Sequence, residues 1–322
     1  MTTTTTDIQQ RQVVRHVSVD PGRRRKRQQL RTFWIRFSFL IPVLIYLVLF
    51  FGYPLYYSIS VSLENYNLGA LFTGQADFIG LENYIEIFKD PVSQQAALHT
   101  LIFTIGSIVP QFLIGLVLAV FFVNKFPLSR FLRSLMLLPW LLPLIVSGTI
   151  WKWLFDGTNG LLDQILSGLH LLPVHFGWLT TPGWALFAVI ITNIWIGIPF
   201  NMVLLYSGLQ NISEEYYEAA AIDGANRWER FWYITTPLLR PVIAVVLMLG
   251  LIYTLKVFDI IYVMTNGGPA NSTQIFATWS YSLSFSQQVF GQGAALGNII
   301  LVIALLVALI YLRFTRSESR AD

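Results

Sequence analysis

Between Asn211 and Pro241 the chain reads NISEEYYEAAAIDGANRWERFWYITTPLLRP. This polar, helix-forming stretch lies between two segments too apolar for anything but a membrane. Ser213 is placed to cap a helix, with Glu214 and Glu215 in the first turn, where the helix dipole favours anions. The run Glu218-Ala219-Ala220-Ala221 is a strong helix former, and Gly224 permits the left-handed conformation that ends it. Asn226, followed three residues later by Glu229, makes a capping box for a second short helix, with Pro237 beyond it. The stretch is poor in Lys and Arg and rich in small alanines. It therefore reads as a helix–Gly turn–helix that a soluble partner could grip, rather than a helix floating on lipid.

Outward from this element the composition sets the class. Hydrophobic residues make up 55% of the 322 and charged residues 12%, with a mean hydropathy of +0.59; soluble chains carry about 25% charge. Six apolar stretches are long enough to cross a hydrocarbon core of about 30 Å at about 1.5 Å per residue. They are placed near Phe33–Tyr53, Leu98–Val123, Phe131–Leu154, Trp184–Leu209, Pro241–Val263 and Ala294–Leu312. Several contain Pro or Gly, which packed membrane helices tolerate. The expected fold is an all-α integral membrane protein with six transmembrane helices and the polar stretch between the fourth and fifth.

Orientation follows from the cations. The N-terminal tail to Arg31 holds eight of the 21 Lys and Arg, five of them in Arg23-Arg24-Arg25-Lys26-Arg27. Lys125, Arg130 and Arg133 lie between helices two and three, and Arg227, Arg230 and Arg240 between four and five. Arg313, Arg316 and Arg320 close the chain. The loops on the other side hold only Lys89, which gives seventeen against one, with Arg36, Lys152 and Lys256 inside helices. Both termini and the 211–240 loop are thus expected in the cytoplasm. Beside a first membrane helix the basic tail reads as a topology signal, not as a nucleic-acid arm. Residues 1–32 are expected to be a disordered tail and not a cleavable signal; residues 315–322 form a second tail.

Several chemistries are missing. Cysteine is absent, which removes disulfides and thiolate sites. No Gly-rich phosphate loop ends in Gly-Lys-Ser/Thr. His16, His99, His170 and His175 lack metal-ligand spacing. No catalytic residues and no cofactor are expected in this chain.

Two readings of function remain from the residues: one subunit of a multi-component transporter, or a stand-alone secondary transporter. The second predicts internal inverted repeats with matched helix interruptions, and no such repeat is visible. Polar groups at membrane depth mark the candidate path. Asn193 lies about 14 Å from the outer end of helix four, and Lys256 about 22 Å from the inner end of helix five. Lys256 and Asp259, spaced i to i+3 in the expected helix, either neutralise each other or touch solute. Lys152, between Trp151 and Trp153, reads as snorkelling in an aromatic belt. Gln111 and Asn298 read as interhelical hydrogen bonds, and Gly293 with Gly297 as a close-packing step.

The sequence Glu218-Ala-Ala-Ala-Ile-Asp-Gly224-Ala, followed by Ile234-Thr-Thr-Pro237-Leu, resembles the coupling motif of permease subunits of binding-protein-dependent ABC importers. Thr265-Asn-Gly-Gly-Pro269 and Phe78-Ile-Gly-Leu-Glu-Asn-Tyr84 resemble loops of the carbohydrate, maltose-transporter-type branch. The resemblance spans residues 33–314. It implies half of a heterodimeric pathway in a bacterial or archaeal plasma membrane. A second permease, a cytoplasmic ATPase dimer and an extracytoplasmic solute-binding protein would be the partners, and a sugar the solute. It assigns ATPase coupling to Glu218, Ala219, Ala220, Asp223 and Gly224. It assigns the solute cavity to Asn193, Gly197, Phe200, Gly250, Tyr253 and Thr254. Lys256 and Asp259 depart from the maltose pattern, and a glycerol-phosphate or polyol permease is the alternative within the family.

Overall fold

The computed structural model describes residues 37–124 and 126–318, with side chains to residue 313. The tail expected over residues 1–32 therefore lies outside the described residues, as do residues 319–322 of the tail expected over 315–322. The chain divides into two units, residues 1–57 and 58–322. In the first, the described residues form an apolar helix with a π turn at Val48–Gly52 and broadly exposed side chains. This is the start of α1, Phe37–Ser62.

In the second unit the elements follow in order. They are α2 (Leu68–Thr73), α3 (Glu82–Lys89), α4 (Pro91–Val123), α5 (Ser129–Leu141), α6 (Leu144–Leu154), α7 (Leu161–Gly168) and α8 (Trp184–Gln210). Then come α9 (Glu214–Ile222), α10 (Arg227–Leu255), α11 (Asp259–Met264), α12 (Phe276–Tyr281) and α13 (Phe290–Glu318). Among the described residues extended structure is confined to one bridge, Glu64 with Phe78.

Among the described residues five helices, α1, α4, α8, α10 and α13, are long and apolar enough to span a membrane, and α5 with α6 makes a sixth span if the bent pair counts as one. That pair corrects the expected straight helix Phe131–Leu154: the two halves meet at 94°. The reason is local. A residue before proline is pushed from α to extended backbone, and Leu142, before Pro143, has φ −73°, ψ 142°. Pro143 follows with φ −55°, ψ 136°.

The fifth span is corrected at both ends. It begins at Arg227 rather than Pro241, because the second short helix runs through a π turn at Phe231–Thr235 into the membrane segment without stopping. Pro237 sits near the N-terminus of the regular α segment that follows, where a missing N–H costs little. The span ends at Leu255 rather than Val263. A tight turn closes it, with Lys256 N donating to Tyr253 O at 3.2 Å and Val257 N to Thr254 O at 3.2 Å, before α11 starts afresh.

The long α4 begins cleanly. Asp90 side-chain oxygens accept from Val92 N at 3.3 Å and Ser93 N at 2.9 Å, with Pro91 in the first helical position. It packs along α8 through small residues. In lipid such packing rests on van der Waals contact and polar ties rather than on hydrophobic burial. Gln111 Nε2 donates to Asn193 O at 2.8 Å, the expected interhelical tie. Asn298 makes the second, its Oδ1 accepting from Ser58 Oγ at 3.0 Å. Gly293 Cα lies where any added Cβ would overlap Ser284 Oγ, whereas Gly297 has only ordinary clearance of 3.6 Å to Ser280 Oγ. The close-packing step thus rests on Gly293.

At one end of the second unit, Phe155, Trp178, Leu186, Ile260, Ile261, Met264 and Ile275 form a buried cluster. It fixes α6, α8, α11 and the connecting loops around the head of the cavity described next.

Candidate functional site

A cavity of about 540 Å³ opens between α4, α8, α10, α11 and the α5–α6 bend. Each wall follows from a local event in the sequence. The bend at Leu142–Pro143 turns Trp140, Leu142, Pro143 and Leu144 onto it. Helix α8 contributes Asn193, Ile196, Gly197, Phe200 and Asn201, and α10 contributes Gly250, Tyr253 and Thr254. The break after Leu255 adds Lys256 and Val257.

Three aromatic rings form one wall. Phe200 stands 6.0 Å from Trp140 and 5.8 Å from Tyr253, the latter edge-on at 89°, within the range of favourable aromatic pairing. The same cavity is lined by the amides of Asn193 and Asn201, on the helix that carries Phe200. Asn201 Nδ2 is satisfied by Gly197 O at 2.9 Å. Asn193 is 5% exposed, yet its Nδ2 has no hydrogen-bond partner among the described residues. A buried, unpaired amide donor costs about 1–3 kcal/mol. Gly197 is required by this arrangement, because a Cβ there would overlap the Gln111 carboxamide.

Of the eight residues assigned to the cavity from sequence, Asn193, Gly197, Phe200, Gly250, Tyr253, Thr254 and Lys256 line it together. Asp259 is not among its lining residues. The helical spacing that would bring Lys256 and Asp259 together is lost, since α10 ends at Leu255 and α11 begins at Asp259. Lys256 Nζ instead sits 5.8 Å from the centre of the Tyr253 ring. Lys152 differs from its expected snorkelling role: its Nζ donates to Val263 O at 3.0 Å, which ties α6 to α11. Gln111, Trp140, Asn201 and the bend residues escaped the sequence reading as cavity walls. A Trp directly before a Leu-Leu-Pro run was the available signal.

The second feature is the polar stretch. Ser213 Oγ accepts from Glu215 N at 3.4 Å. Gly224 has φ +83°, with Ala225 N donating to Ala220 O at 2.9 Å and Gly224 N to Ala221 O at 3.2 Å, the paired bonds of a Schellman stop. Asn226 Oδ1 accepts from Trp228 N at 2.9 Å and Glu229 N at 3.0 Å, and Glu229 returns a carboxylate to Asn226 N at 2.7 Å. Tyr217 Oη and Thr235 Oγ1, 2.9 Å apart, hold α9 to the start of α10.

Glu218, Ala219, Asp223 and Gly224 are exposed, and Ala220 is half-buried. Ile222, which the sequence reading passed over, is 88% exposed at the tip. A recess of about 580 Å³ along α9 is lined by Tyr217, Glu218, Ala221 and Arg230 among others.

At the opposite end of α6, Asp156 accepts from Thr158 Oγ1 at 2.5 Å and from the amides of Thr158 and Asn159. Chiefly through the Thr158 hydroxyl, these bonds hold its carboxyl below the usual value of 3.8. What this turn adds to stability is present above that value and is lost as pH falls through the lowered one.

A bundle of membrane helices around a mainly apolar cavity edged by amides and Lys256, carrying an exposed helix–turn–helix, defines a membrane-embedded transport subunit. Residues 111–320 match the family described as binding-protein-dependent transport system inner membrane component, and the chain belongs to it. It is 34% identical over 86% of its length to the trehalose/maltose transport system permease protein MalF of Thermococcus litoralis, covering 92% of that protein. It is 34% identical over 87% of its length to the sulfoquinovosyl glycerol transport system permease protein SmoG of Agrobacterium fabrum, covering 89% of it. To the diacetylchitobiose uptake system permease protein DasB of Streptomyces coelicolor it is 29% identical, over 88% and 87% of the two chains. A chain from the crystal structure of a bacterial alginate ABC transporter in complex with its pentasaccharide-bound periplasmic protein shares the fold. Its TM-score is 0.76 at 22% identity, over 90% of this chain and 96% of that one.

Proposed function

We propose that this chain is the permease subunit of an ATP-driven sugar importer in a bacterial or archaeal plasma membrane. It forms one half of the pathway, and a second permease forms the other. The excess of Lys and Arg in the tails and the 211–240 loop supports cytoplasmic termini. In that orientation α9 docks on a cytoplasmic ATPase dimer, through Glu218, Ala219, Ala220, Asp223 and Gly224. Hydrolysis belongs to that partner, and a solute-binding protein delivers at the far side. Rocking of the two halves exposes the cavity to each side in turn.

The observation that carries the sugar reading is that the rings of Trp140, Phe200 and Tyr253 line the same cavity as the amides of Asn193 and Asn201. A sugar ring has an apolar face for the rings and a rim of hydroxyls for the amides. Relatives named for trehalose/maltose, sulfoquinovosyl glycerol and diacetylchitobiose transport support it.

Gly250 offers the test. A Cβ built there meets nothing within 4 Å, because the position opens onto the cavity. Gly250→Trp is expected to lower uptake of labelled disaccharide by the complete transporter at least tenfold, with the amount of subunit in the membrane unchanged. Uptake at the parent rate would remove the solute from this cavity.

A further inference from the structure

We infer that the transported sugar carries an acidic group, held at the Lys256 end of the cavity; the inference rests on the sugar-permease reading above and narrows its substrate class. Among the described residues lining the cavity, Lys256 is the single Lys, Arg, His, Asp or Glu. The one carboxylate that could have balanced it by helical spacing, Asp259, starts another helix and is not part of the wall. A cation at membrane depth is costly without a partner. A solute for this cavity therefore gains by bringing a negative charge.

A second, independent group points the same way. Among the described residues Asn193 Nδ2 is a buried donor without an acceptor, whereas the other two amide donors of the wall are used, Gln111 Nε2 by the Asn193 backbone carbonyl and Asn201 Nδ2 by Gly197 O. Asn193 Nδ2 and the Lys256 ammonium are both donors, and a carboxylate, sulfonate or phosphate oxygen serves such donors better than a hydroxyl, since charge-assisted bonds are about twice as strong as neutral ones. The Trp140–Phe200–Tyr253 wall takes the ring, and Lys256, beside Tyr253, takes the acid.

The chain's lack of cysteine allows a test of the charge that needs no knowledge of the solute. In the complete transporter, Gly250→Cys places one thiol of this chain on the cavity. Its rate of modification by an anionic methanethiosulfonate (the ethylsulfonate) should exceed that by a cationic one (the ethylammonium), after normalisation to free cysteine, by threefold or more. Adding Lys256→Gln should abolish the preference, and Lys256→Arg should keep it. A ratio near one, or a ratio unmoved by Lys256→Gln, overturns the inference.

Uptake then separates the inference from the reading it rests on, with maltose, digalacturonate and glycerol 3-phosphate as probes. Digalacturonate taken up in preference to maltose, and reduced tenfold or more by Lys256→Gln but less than threefold by Lys256→Arg, supports it. Uptake of maltose alone overturns the acidic group and leaves the sugar importer standing. Uptake of glycerol 3-phosphate alone overturns the role of the aromatic wall. Uptake of none of the three overturns both.

Discussion

Gly224→Pro is expected to bring transport to background, a loss of more than about 100-fold, while the subunit still inserts and assembles. Gly224 holds φ +83°, and proline is locked near −65°. The substitution also deletes the Gly224 N–H that donates to Ala221 O at 3.2 Å, one of the two bonds that stop α9. The turn must therefore open, and α9 must leave its angle against α10, straining the Tyr217–Thr235 hydrogen bond between them. The membrane helices lie beyond this exposed element and keep their packing.

Gly224→Ala should act in the same direction but less, since an L-residue in the left-handed region costs about 1–2 kcal/mol rather than forbidding the turn. Glu218→Arg tests the docking face separately. It keeps the turn and reverses an exposed charge, so uptake and transporter-dependent ATPase stimulation should fall together, by tenfold or more. ATP-driven uptake at the parent rate in both Gly224→Pro and Glu218→Arg, with matched subunit levels on immunoblots, would end the assignment of α9 as the coupling element.

The sequence was most informative where one physical demand dominates. Long apolar runs located α4, α8 and α13, because a span of hydrocarbon admits little else. Caps located the 211–230 element to within a residue: Ser213, Gly224, Asn226 and Glu229 each perform the bond their chemistry suggests. Hydropathy was silent where a chain changes direction without changing polarity. Leu142 and Pro143 are as apolar as their neighbours, and only the steric effect of proline on its predecessor signals the 94° bend.

The break after Leu255 is harder still. Neither Pro nor Gly marks it, and Val257-Phe258 continues the apolar run on which Pro241–Val263 was drawn as one helix. That single error carried the Lys256–Asp259 pairing with it. The short helices α2, α3, α7, α11 and α12 were missed altogether, since six to eight residues give too little periodicity to register. For the cavity, the residues on α8 and α10 were legible by resemblance and depth, whereas Gln111 and Trp140 reach it only through tertiary packing.

The largest expected effect on the fold lies on the α4–α8 seam. A Cβ at Gly115 would stand 2.6 Å from Asn201 Cβ, 3.1 Å from Met202 N and 3.3 Å from Asn201 C. Two of these are backbone atoms, so no rotamer change relieves the overlap, and the helices must separate. Overpacking of this kind costs about 1–3 kcal/mol and occasionally more. Here separation also strains the Gln111–Asn193 bond one turn away. Gly115→Leu is therefore expected to lower the midpoint of thermal denaturation of the detergent-purified subunit by about 10 °C, taking about 3 kcal/mol at a few degrees each. Its level in the membrane should fall with it.

Gly250→Ala is the internal control, because the same methyl placed on the open cavity meets nothing within 4 Å and should leave the midpoint in place. Asn201→Gly removes the nearest atom of the opposing wall, so the pair Gly115→Ala with Asn201→Gly should be more stable than the two single losses predict by addition. Coupling of that kind is expected for residues in contact and not for distant, independent ones. A Gly115→Leu subunit as stable as its parent, or strict additivity in the pair, would show that α4 and α8 do not meet at this seam.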